Sequence, residues 1–213
     1  MRGGILSANI STKERILSEA LTLFSVKGYE SVTVAEIAGA VGVKAPALYK
    51  HYKSKRDIFD AILAEMKASY DKQAASMQMD GREAEKDLPL YAAISEDELV
   101  EMATGLFLYF LRDEKECKFR KMLSIEQYCN KDIADVYTKQ YVDFPLSYQS
   151  ALFDLIVKSG AALPENPKIM ALQYYAPVYM YLRVCDRHPE REAETLQLLQ
   201  QHFRQFIRLY RKK

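Results

Sequence analysis

Glycine and proline are scarce in this sequence, which contains 8 glycines and 7 prolines among 213 residues. A β-rich fold with many tight turns needs more of both, so their scarcity favours a mostly helical chain. The three cysteines are far apart and form no C-x-x-C pair, which excludes a disulfide framework and a cysteine-based zinc site. The three histidines are equally scattered. We therefore expect no metal site and no cofactor.

Long apolar runs are also missing. No stretch approaches the roughly 20 apolar residues that a membrane-spanning helix needs, and the first residues, MRGGILSAN, do not contain the apolar segment of a signal peptide. The sequence therefore predicts a cytoplasmic protein without membrane contact. Its length allows one large domain, or a small domain followed by a larger one.

The overall charge is close to balance, but its distribution is uneven. Residues 1–58 contain nine lysines and arginines against five acidic residues, whereas the remainder contains 21 basic against 24 acidic residues. Five of the nine N-terminal bases lie between residues 44 and 56. Because neutralisation of phosphates supplies most non-specific DNA affinity, this local cluster indicates a nucleic-acid surface.

Residues 33–52, TVAEIAGAVGVKAPALYKHY, carry the strongest local signal. Thr33 followed by Glu36 is the pattern of a capping box at a helix start. Gly42 suits the left-handed residue that ends this helix, and Pro46 suits the first turn of the next one. The stretch therefore predicts a helix–turn–helix, a hairpin that also occurs in proteins that do not bind DNA.

Amphipathic periodicity predicts further helices along the whole chain. Ser11 with Glu14 and Ser95 with Glu98 repeat the capping-box pattern at two helix starts. Pro145 lies inside a long helix and is expected to kink it or split it in two. The expected ranges are about 12–27, 55–77, 95–112, 115–128, 132–158, 167–187 and 190–211.

The predicted architecture is all-α. Residues 1–10 are expected to be disordered, and the charged stretch 78–94 is the best linker candidate. The last two helices, 167–187 and 190–211, carry more apolar surface than one subunit needs. They are expected to pair with their copies in a homodimer, as in a four-helix bundle.

Residues 12–63, TKERILSEALTLFSVKGYESVTVAEIAGAVGVKAPALYKHYKSKRDIFDAIL, resemble the N-terminal domain of the TetR family of transcriptional regulators. The shared pattern is an I-L-x-x-A-x-x-L-F helix, then K-G-Y, T-V-x-x-I-A, G-V and L-Y-x-H-Y. The resemblance implies a three-helix DNA-binding domain, assigned to residues 1–54. It also implies a larger helical domain for effector binding and dimerisation, assigned to residues 55–213.

Carried over position by position, the resemblance implies a set of DNA contacts at the hairpin and the next helix. Lys44 and Lys50 are the expected hydrogen-bonding readers, because Ala45 and Ala47 stand where polar residues are usual. The alanines can pack against thymine methyl groups, and Lys55 is expected at a phosphate. The full set is Thr33, Lys44, Ala45, Pro46, Ala47, Tyr49, Lys50, His51 and Lys55.

Twelve of the fifteen tyrosines follow residue 58. A tyrosine offers a flat apolar face with one hydroxyl, which suits a pocket for an aromatic or amphipathic molecule. Few charges lie among the candidates, so the expected effector is hydrophobic and either neutral or cationic. The candidate lining residues are Met102, Phe107, Tyr109, Tyr128, Tyr141, Phe144, Tyr148, Tyr175 and Tyr179.

Together these features predict a ligand-responsive DNA-binding regulator, most simply a repressor. It would bind a palindromic operator as a dimer and be released by a small hydrophobic or aromatic effector. An enzyme is not expected, since the sequence has no G-x-S-x-G, no H-E-x-x-H and no glycine-rich phosphate loop. Two alternatives stay open: a helical protein-interaction module that reuses the hairpin, and a family member without an effector.

Overall fold

The computed structural model describes residues 11–212, and no β-strand occurs within them. The prediction for residues 1–10 lies outside this range. The all-α fold class is confirmed. The helices are α1 (Thr12–Lys27), α2 (Val34–Val41), α3 (Ala45–Leu48), α4 (Lys55–Ser76), α5 (Ala84–Ala93), α6 (Glu96–Arg112), α7 (Glu114–Glu126), α8 (Lys131–Thr138), α9 (Phe144–Lys158), α10 (Pro167–Arg187) and α11 (Glu192–Tyr210), with a π-helical turn at Lys139–Asp143 and a 3₁₀ turn at Pro189–Arg191.

The predicted capping boxes are all present. At Ser11, Thr33 and Ser95 the hydroxyl accepts from the backbone N–H three residues later, and the glutamate there accepts from the cap's own N–H. Each pair satisfies two backbone donors that a helix start leaves unpaired. Three helix starts therefore follow from local sequence alone.

The N-terminal helices share one apolar core with the helices beyond them. Phe24, Leu48 and Ile62 are buried together with Phe119 and Leu123 of α7. α7 packs along α1, and α4 packs against α1 as well. The hairpin therefore packs on a core to which α7 contributes, so a displacement of α7 can also displace the hairpin.

Pro145 divides the long predicted helix, as expected. α8 and α9 are separated by the π-helical turn, and Pro145 is the second residue of α9. Proline has no N–H to donate to the carbonyl of Tyr141 four residues earlier. The hydroxyl of Tyr175 donates to that carbonyl instead, at 2.8 Å.

The linker predicted at 78–94 is wrong in its second half, which forms α5. The charges there suggested an exposed segment, but Asp87 is buried. Its carboxylate accepts from the backbone N–H groups of Asp80 and Gly81, at 2.6 and 2.8 Å. These bonds satisfy the buried charge and fix the turn that links α4 to α5.

The C-terminal helices form a layered bundle, in which α10 packs along α9 and α11 packs against α6 and α10. Within residues 11–212, no helix combines the length and the apolar character needed to cross a membrane. The outward faces of α10 and α11 expose large apolar side chains. These are Ile169, Leu172, Met180, Leu198 and Leu209.

Candidate DNA interface and ligand sites

The turn of the hairpin is built by Gly42. Its backbone is left-handed, with φ 78°, and its N–H donates to Gly39 O while the N–H of Val43 donates to Ala38 O. This pattern closes α2 and redirects the chain sharply. α3 then starts after Lys44, and it is shorter than predicted because turns replace helix after Leu48.

The residues predicted to contact DNA occupy one end of the molecule. Most of them are exposed, and Tyr49 keeps about half of its surface accessible, 51%. Ala45 and Ala47 are half-buried, whereas Leu48 points into the core. The set is therefore mostly available for a ligand outside the protein.

Three lysines provide uncompensated positive charge on this end. Among residues 11–212, none of Lys44, Lys50 and Lys53 forms an ion pair with a carboxylate, and all three are exposed. Lys53 was not among the predicted contacts, although it lies in the basic run 44–56 that indicated the surface. The described ion pair closest to the hairpin is Lys27–Glu36, at 2.8 Å.

Lys55 differs from the prediction. Its ammonium group donates to the carbonyls of Tyr29 and Glu30, at 2.9 and 3.2 Å, and lies 4.4 Å from the centre of the Tyr29 ring. The side chain thus ties the start of α4 to the loop after α1. In this conformation its charge stabilises the domain and does not reach outward to a phosphate.

A cavity of about 270 Å³ lies between α5, α6, α9, α10 and α11. Its volume is close to the lower end of the roughly 300–1,000 Å³ range of small-molecule pockets. The walls are mostly apolar and aromatic, and Met102 is the one predicted ligand residue among them. The aromatic lining is formed by Tyr91, Phe153, Tyr174, Phe203, Phe206 and Tyr210.

Four predicted ligand residues meet elsewhere, in a closed cluster. Tyr141 and Tyr175 are joined by the bond to the Tyr141 carbonyl, and the hydroxyls of Tyr137 and Tyr179 lie 2.8 Å apart. The Tyr175 and Tyr179 ring centres are 6.4 Å apart. Tyr109 borders the same region from α6.

Two charged residues in this region, Glu116 and Arg120, are buried, and the sequence pattern does not predict their burial. The run E-K-E-C-K-F-R resembles a solvated helix face, yet both side chains are 1% exposed. Burial raises the pKa of Glu116 to about 7. The guanidinium of Arg120 pairs with both carboxylate oxygens of Asp186, at 2.7 and 2.6 Å.

Phe144 and Tyr148 belong to a third group near the α4–α5 turn. The Tyr148 hydroxyl donates to buried Asp87 at 2.6 Å, and the Phe144 ring lies 6.1 Å from that of Tyr70. Phe107 is packed in the core with Leu182. Tyr128 is 85% exposed at the end of α7, so its predicted place in a pocket is wrong.

Residues 16–62 match the sequence profile of bacterial regulatory proteins of the TetR family. A segment of 48 residues is 44% identical to the biofilm operon icaADBC negative transcriptional regulator IcaR of Staphylococcus aureus. That segment is 22% of this chain and 26% of IcaR, so the chain matches only about a quarter of this relative's length.

Solved structures share the fold over almost the whole chain. SmeT, the repressor of the Stenotrophomonas maltophilia multidrug efflux pump SmeDEF, superposes with a TM-score of 0.65 at 20% identity, covering 95% of this chain and 92% of SmeT. A TetR family transcriptional regulator from Pseudomonas syringae has a TM-score of 0.65 at 16% identity, covering 97% of this chain and 100% of its own. At these identities the likeness establishes the fold.

The profile match places the TetR-type sequence on the three-helix end that exposes the lysines. The solved neighbours place the remaining helices in the same overall arrangement. Regulators of this family act by binding DNA and are not enzymes, in agreement with the sequence prediction. Residues 16–62 therefore carry a TetR-type sequence, and the chain as a whole shares the fold of solved TetR-family regulators.

Proposed function

We propose that this protein is a dimeric DNA-binding repressor, with residues 1–54 as its DNA-binding domain and residues 55–213 as its effector-binding and dimerisation domain. The observation that carries the proposal is the set Lys44, Lys50 and Lys53 on the TetR-type hairpin, which is exposed and forms no ion pair within residues 11–212. Exposed lysines release counterions when they meet phosphates, which favours DNA binding.

The apolar outward faces of α10 and α11 supply the proposed dimer contact. Their side chains are about half exposed in the single chain, for example Leu172 at 50% and Leu209 at 60%. A second copy would bury them in a four-helix arrangement. Two hairpins could then read half-sites about 34–36 Å apart in a palindromic operator.

The aromatic cavity is the proposed entry point for a small hydrophobic effector. Its wall residue Tyr91 lies close to Tyr148, whose hydroxyl holds Asp87 and thereby the α4–α5 turn. The hydroxyl of Tyr70 on α4 donates to Gly81 in the same turn, at 3.0 Å. A ligand that displaces Tyr91 would therefore shift α4, which begins next to the hairpin.

Release from the operator requires that the effector prefer the conformation with low DNA affinity. A ligand shifts an equilibrium only by its difference in affinity for the two states. Couplings of about 1–3 kcal/mol are typical between such sites. SmeT, which has the same fold, has been solved in complex with triclosan, a precedent for a small aromatic effector here.

Selection from a random double-stranded DNA library, followed by mobility shift, tests the DNA-binding proposal. We expect an enriched palindrome, and we expect Lys44→Ala with Lys50→Ala to weaken its binding about tenfold or more, because two phosphate or base contacts are lost. Lys72→Ala, at an exposed lysine on α4, is the matched control and should bind as the wild type does. Failure to enrich any sequence, or equal binding by the double variant, would refute the proposal.

A further inference from the structure

The closed tyrosine cluster differs from the open cavity because it surrounds buried charge. It lies between α4, α6, α7, the π-helical turn and α10. Ser69 and Tyr109 connect their hydroxyls at 2.8 Å, and Tyr109 donates to Glu116 Oε1 at 3.2 Å. We call the residues around this buried charge the Glu116 cluster: Ser69, Tyr109, Glu116, Arg120, Tyr141 and Tyr175.

Within residues 11–212, the carboxylate of Glu116 forms no ion pair with a cationic side chain. Its Oε2 has no hydrogen-bond partner within residues 11–212. Arg120, one turn further along α7, does not fill this role because Asp186 and the Phe110 carbonyl occupy its guanidinium. A buried carboxylate without a counter-charge costs stability, so this arrangement calls for an explanation beyond packing.

Tyr141 provides a second unpaired group in the same place. Its side chain is 4% exposed and its hydroxyl has no partner among the described residues. Burial raises the pKa of Tyr141, and the negative charge of Glu116 raises it further. Tyr141 also sits in the π-helical turn, a feature that is frequent at functional sites.

We propose that the Glu116 cluster binds an organic cation, whose positively charged N–H group is held by Glu116 Oε2 and the Tyr141 hydroxyl. The rings of Tyr109 and Tyr175 offer faces for the rest of the ligand, and cation–π attraction adds to the charge-assisted hydrogen bond. Neutral molecules of the same shape gain neither contribution. This inference rests on the proposed function and names the chemical class of an effector for it.

The position of Glu116 links such a cation to the DNA-binding end. Glu116 lies on α7, and the same helix contacts the first helices directly. Lys118 donates to Thr22 of α1 at 3.0 Å, and Glu126 Oε1 accepts from the backbone N–H of Glu30 at 3.3 Å. A cation that shifts α7 toward the cluster therefore also shifts the contacts of α7 with α1 and the loop after it, which support the hairpin.

Calorimetric titration of the full-length protein with benzamidine tests the inference. Benzamidine is a planar cation whose two nitrogens match a carboxylate, whereas benzamide is its neutral and benzoate its anionic counterpart of similar shape. We expect saturable benzamidine binding, and binding weaker by about tenfold or more for benzamide, benzoate and the Glu116→Gln variant. Glu126→Gln, at another buried glutamate of α7 whose Oε2 has no partner among the described residues, should bind benzamidine as the wild type does.

Three results would overturn the inference: no benzamidine binding up to about 10 mM, equal binding of benzamide, or unchanged affinity in Glu116→Gln. If that variant does not fold, Tyr141→Phe decides, since loss of its hydroxyl should weaken benzamidine severalfold. The DNA selection keeps the two proposals apart. An enriched operator without benzamidine binding refutes only the cation site, whereas benzamidine binding without any selected DNA refutes only the DNA-binding proposal.

Discussion

At the scale of single residues, the cost of the Glu116 carboxylate depends on pH. Burial raises its pKa from the ordinary 4.5 to about 7; the Tyr109 hydrogen bond lowers it, the Asp113 charge raises it and the Arg120 charge lowers it. Between these two pH values the folded protein binds more protons than the unfolded chain. The stability that the protonated group contributes is therefore complete below about pH 4.5 and is lost as the pH rises through about 7.

The Glu116→Gln substitution should remove this dependence. Glutamine is uncharged at every pH, so the variant is expected to gain stability relative to the wild type as the pH increases. The gain should reach at most about 3 kcal/mol above pH 7, from a pKa raised from 4.5 to about 7. Thermal unfolding of both proteins at pH 5 and pH 8 measures it. An equal difference in Tm at the two pH values would show that Glu116 is not the titrating group.

At the scale of elements, a contact could be predicted from the sequence when its two residues are close in the chain, and it was missed when they are far apart. Capping boxes and the break at Pro145 involve residues three or four positions apart, and the sequence predicted them. Asp87 looked like part of a charged linker because Tyr148, whose hydroxyl donates to it, lies 61 positions away. Lys55 looked free for the same reason, since the Tyr29 carbonyl that it binds is 26 positions away.

The π-helical turn offers a test of one such distant bond. Tyr175→Phe leaves the Tyr141 carbonyl without its hydroxyl donor, and we expect the free energy of unfolding to fall by about 1–3 kcal/mol. In a Pro145→Ala background the cost should be smaller, because the added N–H at position 145 can bond to that carbonyl in an ordinary helix. Urea unfolding of the two single variants and the double variant measures the coupling.

Tyr179→Phe is the matched control for this cycle. Tyr179 lies on the same helix, but its hydroxyl meets the Tyr137 hydroxyl and not the carbonyl that Pro145 leaves open. Its cost should be the same with and without Pro145→Ala. Additive effects of Tyr175→Phe and Pro145→Ala would mean that the Tyr175 hydroxyl does not replace the missing helix bond.

At the scale of the whole molecule, the sequence predicted the architecture better than the ligand site. Helical periodicity and the hairpin depend on local sequence patterns, so the fold class could be predicted from the sequence. The candidate lining residues were assigned to one pocket, but packing separates most of them into the Glu116 cluster, the group at the α4–α5 turn, the core at Phe107 and the surface at Tyr128. The aromatic cavity was missed because the apolar side chains of the last two helices were expected to pair with a second subunit.

The proposed dimer interface on the outward face of α10 and α11 can be tested by placing charges on it. Leu172→Glu together with Leu209→Glu places two charges on this face, at side chains that are 50% and 60% exposed, so the folded single chain should tolerate them. Burying these charges against a second copy would be unfavourable. Sedimentation equilibrium should then give a mass near 24.5 kDa for the variant and twice that for the wild type.

Val26→Glu is the control for added charge, because Val26 is an apolar side chain of α1 that is 72% exposed and far in sequence from this face. It should leave the protein dimeric. The Leu172→Glu, Leu209→Glu variant should also lose its preference for a palindrome over a single half-site, since one hairpin contacts only one major-groove site. A variant that stays dimeric would assign the interface to another surface, and the two hairpins would then have to be oriented by that surface.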